Sequence, residues 1–167
     1  YNNFTMTKSL FILGNSLTDL IYRSKPDWVI LAGDRGETLI ASIVSAYTNT
    51  PIAHIQAGEL SGNIDGQARH AIGKFAHIHF ASNIDAYKRL IKLGEENFRV
   101  KLVGAPQLDD LKNNIKIFED LNKVKQKYNL KNLVKKNYIL VVYHPVTEEY
   151  KKTGLFVKSL CQSLDTF

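Results

Sequence analysis

The chain has 167 residues, 44% of them hydrophobic, and a formal net charge of +6. No run reaches the ~18 apolar residues a bilayer-spanning helix needs, and a single cysteine, Cys161, excludes an internal disulfide framework and a Cys-based zinc site. No charged and then apolar signal-like segment opens the chain, so a reducing, cytoplasmic setting is expected, with no membrane partner. The charge is uneven: residues 1–111 hold eleven basic and eleven acidic side chains, whereas 112–167 hold eleven Lys against five acids. That segment has no Arg, no aromatic-interleaved stripe and no nucleic-acid motif, so it reads as a solvated lysine face rather than a nucleic-acid footprint.

In chain order, Leu10, Leu13, Leu17 and Ile21 recur at helical spacing, and Pro26-Asp27 close that element. The chain therefore opens inside a helix, on Tyr rather than Met, and a fragment or trimmed piece is expected. Trp28–Ala32 is an apolar strand that stops at Gly33-Asp34-Arg35-Gly36-Glu37. A helix follows from about Thr38 to Tyr47, and Pro51 starts a strand through Ile55, which makes a βαβ unit. After a polar turn at 56–64, Ala68, Ala71, Ile72 and Phe75 form a helical stripe, and Ile78 and Phe80 alternate with His77 and His79 as in a strand. Ser82 or Asn83 can cap the next helix, which carries Ile84, Tyr87, Leu90 and Ile91 and ends at Gly94. Val100–Val103 is a further strand closing on Gly104-Ala105-Pro106, so the order predicts an α/β fold with a parallel, doubly wound sheet. From Leu108 to Lys136 the composition shifts to Lys, Asn and Leu with helical periodicity, and Tyr138–Tyr143 is predicted as a strand ending in His144-Pro145-Val146-Thr147.

Chemistry gathers at the carboxyl ends of these strands, the edge at which open α/β sheets bind ligands. Gly33-Asp34-Arg35-Gly36-Glu37 lies between a strand and a helix, where backbone N–H groups and Arg35 could meet a phosphate; a structural salt bridge or cap explains the same pattern. Gly58, Gly62 and Gly66 around Glu59, Ser61 and Asp65 suit a loop that admits a ligand to the backbone. Asp65 is either a catalytic carboxylate or the N-cap of the helix bearing Arg69 and His70. His54, His77 and His79 have conceivable metal spacing, but no carboxylate stands as an obvious third ligand, and hydrogen-bonded strand histidines are the preferred reading. GxSxG, GxxxxGK[ST] and post-strand GxGxxG motifs are absent from the sequence.

Six segments, GDRGE, HIQAGELSGNID, RHAIGKFAHIHF, LGEE, VGAPQLDDL and HPVTEE, resemble in order and spacing the hydrolysing UDP-N-acetylglucosamine 2-epimerases of sialic and related nonulosonic acid synthesis. The resemblance runs from about residue 10 to 165. It implies two Rossmann-like domains in a GT-B-like arrangement with a UDP-sugar between them. Residues 1–107 would be the first domain without its opening strand or strands, and 108–167 the incomplete beginning of the second.

The implied reaction eliminates UDP across C1 and C2 to a glycal and adds water, releasing an N-acetylmannosamine-type sugar without an organic cofactor or catalytic metal. On motif matching, Asp34 and Asp65 resemble two essential carboxylates, Arg35 a nucleotide-phosphate contact, and His144 the histidine at the start of the second domain. Some relatives read HIEGGE, so their glutamate aligns with Gln56, whose amide cannot exchange protons at neutral pH. Glu59 takes over that role, or the position is dispensable, or Gln56 marks a different substrate or lost activity. Gln56, Ser61 and Arg69 join Arg35 as expected substrate contacts. The resemblance also implies a homodimer. The alternatives are a non-hydrolysing 2-epimerase, which HPVT and the SGNID segment disfavour, and an inactive nucleotide-sugar-binding fragment.

Overall fold

The computed structural model describes residues 2–114, 121–130 and 139–166. Two compact units divide the chain, Tyr1–Asp109 and Asp110–Phe167.

The first unit opens with α1 (Asn3–Ser24), started by a reciprocal cap in which the Asn2 side chain accepts from the Thr5 N–H and the Thr5 hydroxyl accepts from the Asn2 N–H, both at 3.0 Å. Its predicted stripe is its inward face: Leu10, Leu13 and Leu17 are half-buried and Ile21 is buried. Lys25, left-handed at φ 45°, ends the helix one residue before Pro26. Helix α2 (Gly36–Tyr47) packs closely on α1. A Cβ on Gly36 would stand 2.9 Å from Leu10 Cδ1, and one on Gly14 3.0 Å from Ile40 Cγ2, so missing side chains set the interhelical distance.

Four parallel strands, β1 (Val29–Ala32), β2 (Ile52–Ile55), β3 (Ile78–Ala81) and β4 (Val100–Leu102), lie in the order β1-β2-β3-β4, with Leu31 beside His54, His54 beside His79, and His79 beside Val100. Helices α3 (Ile64–Phe75) and α4 (Ile84–Lys92) make the later crossovers. The parallel sheet is as the sequence predicts. Among the described residues the four strands follow one another in sequential order. Right-handed crossovers that always step the same way keep their helices on one face. That face buries two adjoining cores, Leu31, Ile52, Ile72 and Ala76, and Ala57, Ala81, Ala86, Leu90 and Val100. On the other face Ile30 is 67% exposed.

The second unit contains α6 (Leu121–Tyr128), a 3-10 segment (Thr147–Lys152) and α7 (Thr153–Leu164), and α5 (Gln107–Asn114) crosses the boundary between the units. The predicted strand Tyr138–Tyr143 does not form over residues 139–143, and Tyr138 lies outside the described residues. A strand needs a ladder partner, and the described residues of this unit offer none. No helix among the described residues is long and apolar enough to cross a membrane.

One glycine fixes how the site loop meets the fold. Gly58 has φ +79°, and a Cβ there would stand 2.5 Å from the Ala86 carbonyl oxygen and 2.7 Å from Leu90 Cγ. Gly58→Ala is expected to destabilise the first unit by about 2 kcal/mol or more, read as a shifted urea midpoint. An unshifted midpoint would contradict this close approach.

Candidate active site

Three strand ends supply the turns of the site edge, and each turn uses a left-handed residue. Gly33 (φ +83°) follows β1, Gln56 (φ +60°) and Gly58 (φ +79°) follow β2, and Gly104 (φ +86°) follows β4. Gln56 is unusual, because a side chain costs energy in that region. From Gly58 the chain passes over the first turn of α3 so closely that a Cβ on Gly66 would stand 2.4 Å from the Ser61 carbonyl oxygen. This crossing brings Glu59 and Ser61 beside α3 and the end of β1.

Arg69, buried on α3, joins these segments. Its Nη2 donates to Asp34 Oδ2, and its Nη1 reaches Glu59 Oε2 at 3.4 Å. The Ser61 hydroxyl donates to the same Asp34 oxygen at 2.9 Å. Two carboxylates thus share one guanidinium, which orients both and leaves the group with surplus negative charge. Asp65 lies one helical turn before Arg69 on the same face of α3. Asn63 is the cap: its Oδ1 accepts from the Asp65 N–H at 3.2 Å, and its Nδ2 donates to Asp65 Oδ2 at 3.1 Å. The capping explanation of Asp65 is therefore removed.

Arg35 is exposed at the head of α2, where its own side chain makes no capping bond. Gln56 is half-buried at the end of β2. His144 belongs to the other unit, on the exposed irregular stretch 139–146. Of the residues singled out by sequence, then, Asp34, Glu59, Ser61 and Arg69 form one bonded cluster with Asp65 adjacent on α3.

The histidines have structural employment. His54 is fully buried, and its Nε2 donates to the Gly33 carbonyl at 2.8 Å. Burial pushes its pKa down to about 4, opposed by the Gly33 hydrogen bond and lowered further by His79. His77 Nδ1 accepts from the Ile52 N–H at 3.2 Å. His79, whose pKa is also lowered chiefly by burial, has its Nε2 3.2 Å from Glu95 Oε2, without hydrogen-bond alignment. Glu95 is buried and bonded to Lys74 Nζ at 2.6 Å, so this acid of the LGEE segment ties the loop after α4 to α3. His70 is lowered by partial burial and by Arg89, Arg69 and Lys74. No group of three potential metal ligands converges among the described residues.

Sequence reasoning missed Asn63 as the cap, the left-handed Gln56, and Arg89, which donates from α4 to the Gly58 carbonyl at 2.5 Å. Asn63 had a readable signal, a capping residue two positions before Asp65. The other two depend on tertiary contacts.

Removing Arg69 leaves two carboxylates without their cation, and truncating one side of a buried ionic group commonly costs about 3 kcal/mol or more. Arg69→Leu is expected to lower stability by that amount, measured by urea unfolding. His54 gives stability its own pH dependence. The unfolded imidazole, near pH 6.5, binds a proton that the folded one, near 4, refuses, so the contribution is complete above pH 6.5 and falls with acidification. By pH 5 the loss amounts to about 2 kcal/mol, and His54→Gln should remove that part of the slope.

Known proteins resemble this chain along nearly its whole length. The family description "UDP-N-acetylglucosamine 2-epimerase" matches residues 2–166. A UDP-N-acetylglucosamine 2-epimerase of Neisseria meningitidis serogroup B is 37% identical over 141 residues, 83% of this chain and 36% of that protein. The hydrolysing UDP-N,N'-diacetylbacillosamine 2-epimerase of Legionella pneumophila is 36% identical over 146 residues, 87% of this chain and 38% of that protein. The hydrolysing GDP/UDP-N,N'-diacetylbacillosamine 2-epimerase of Campylobacter jejuni is 35% identical over 166 residues, 99% of this chain and 42% of that protein. The chain thus spans about two fifths of the length of these curated relatives. Among solved structures, the Methanocaldococcus jannaschii UDP-GlcNAc 2-epimerase in complex with UDP-GlcNAc and UDP superposes with a TM-score of 0.67 at 23% identity, over 72% of this chain and 34% of that one. The Neisseria meningitidis enzyme bound to UDP-GlcNAc gives 0.65 at 24%, over 74% and 35%. These structures share the GT-B-like fold, and with the match over almost every residue, the chain belongs to the UDP-N-acetylglucosamine 2-epimerase family.

Proposed function

We propose that the chain carries the first-domain half of the active site of a hydrolysing 2-epimerase, which converts UDP-N-acetylglucosamine or a related UDP-2-acetamido sugar to UDP and a free N-acetylmannosamine-type sugar. The observation that carries the reading is the Asp34–Arg69–Glu59 cluster with Asp65 adjacent, at the carboxyl edge of a parallel sheet. Similarity to relatives named as hydrolysing favours water as the second reactant.

The chemistry has two steps. A base removes the C2 proton while the C1–O bond breaks toward UDP, giving a glycal. Water then adds its hydroxyl to C1 while an acid on the opposite face returns a proton to C2. Two carboxylates with separate supports suit this division. Asp34 is held by Arg69 and Ser61, and Asp65 by Asn63. Glu59 fixes Arg69 and is the candidate third acid, since Gln56 can hydrogen-bond a sugar but cannot exchange a proton.

The carboxylate cluster repels a diphosphate, so cations must come from elsewhere. Arg35, exposed at the head of α2, is the first-unit candidate, with the helix N–H groups behind it. For His144 we propose the role its motif implies in the full-length protein, a contact to the substrate.

In D2O the full-length protein should release UDP and a free sugar carrying one deuterium at C2, followed by NMR. Asp34→Asn and Asp65→Asn should each lower kcat by about 100-fold or more. A product still attached to UDP would establish the non-hydrolysing reaction instead, and no UDP release from UDP-N-acetylglucosamine or the UDP-diacetylbacillosamine analogue would defeat the proposal.

A further inference from the structure

The carboxylate of Asp34 is carried by the residue after Gly33, a glycine with φ +83° and no atom within 4 Å of where a Cβ would sit. Side-chain packing therefore does nothing to hold this backbone, and a glycine peptide of this kind is free to rotate. A small rotation of the Gly33–Asp34 peptide would swing the carboxylate away from its working position. The Gly33 N–H donates to the Ile55 carbonyl at 3.2 Å and fixes the preceding peptide, and the Gly33 carbonyl accepts from His54 Nε2 at 2.8 Å, which opposes the rotation directly.

The second of these bonds is built into the core. His54 is fully buried, with Leu31 and His79 as its neighbours in register on β1 and β3. A carbonyl accepts only from a protonated nitrogen, so the proton is on Nε2, and Nδ1 has no hydrogen-bond partner among the described residues. Maintaining a fully buried imidazole for one bond to one turn costs more than an apolar side chain would. Position matters as well as burial, since the strand that carries His54 also leads into the loop bearing Glu59 and Ser61, which bind the other side of the Asp34–Arg69 group.

We infer that His54 is a positioning residue of the reaction: its Nε2–H fixes the Gly33 carbonyl and thereby aims the Asp34 carboxylate. The inference rests on the role proposed above for Asp34. His54 does not touch the substrate and moves no proton.

The test uses the full-length protein and two substitutions that differ in reach. In His54→Gln the amide nitrogen can occupy the place of Nε2, whereas in His54→Asn it stops near the place of Nδ1. The expected result is a Gln variant within about threefold of wild-type kcat and an Asn variant reduced about 10- to 100-fold, with KM changed little in either, because aim is lost and binding is not. Amide exchange over residues 33–37, measured by mass spectrometry, should accelerate about 10-fold in the Asn variant only. Equal losses in both variants, or wild-type exchange and kcat in a folded Asn variant, would overturn the inference. Imidazole nitrogen NMR of the unsubstituted protein decides the point even if neither variant folds: a proton on Nε2 supports it, and one on Nδ1 refutes it. If the wild type releases no UDP, the proposed reaction fails, while the exchange contrast still tells whether His54 holds the Asp34 turn.

Discussion

The bonded cluster depends on one guanidinium with two carboxylates to serve. Arg69 comes from α3, Asp34 from the turn after β1, and Glu59 from the loop after β2. Without a cation between them, Asp34 and Glu59 would repel across a partly desolvated space, and the loop after β2 would lose its reason to cross α3. The absence of a side chain at Gly66 is what lets Ser61 pass within reach, and the bond from Arg89 to the Gly58 carbonyl steadies the other end of the loop. The arrangement thus needs both the close backbone approach and the shared charge.

Much of this was legible in the residues, and for identifiable reasons. The strands of the first unit are short apolar runs bounded by Gly, Pro and polar turns, and the helices carry stripes such as Leu10, Leu13, Leu17 and Ile21 that only a 3.6-residue period brings together. Asn83 caps α4 through the Ala86 N–H, one of the two caps expected there. The strand order was not legible. Local patterning says that four βα units follow one another, but whether the winding reverses depends on which edge each new strand joins, and that is a tertiary choice.

The site was legible in its members more than in its bonds. Acids, Ser and Arg at strand ends flagged Asp34, Glu59, Ser61 and Arg69, yet nothing in their spacing told that Arg69 would serve Asp34, 35 positions away. Asp65 was ambiguous because Asn63 and Asp65 are both good caps, and only the observed bond separates them. The stretch 139–143 shows the opposite failure: local β propensity is present, but the described residues of its unit offer no partner strand, and propensity without a ladder does not make a strand.

The sequential order of the sheet bears on how it is built. Paired residues such as Val29 and Ile52, Ala53 and Ile78, and His79 and Val100 are separated by fewer than thirty positions, and each strand's neighbour is the next one to be synthesised. Each closure is a short loop, and the entropy of closing it rises only slowly with length. These four strands can therefore pair one after another as this part of the chain leaves the ribosome.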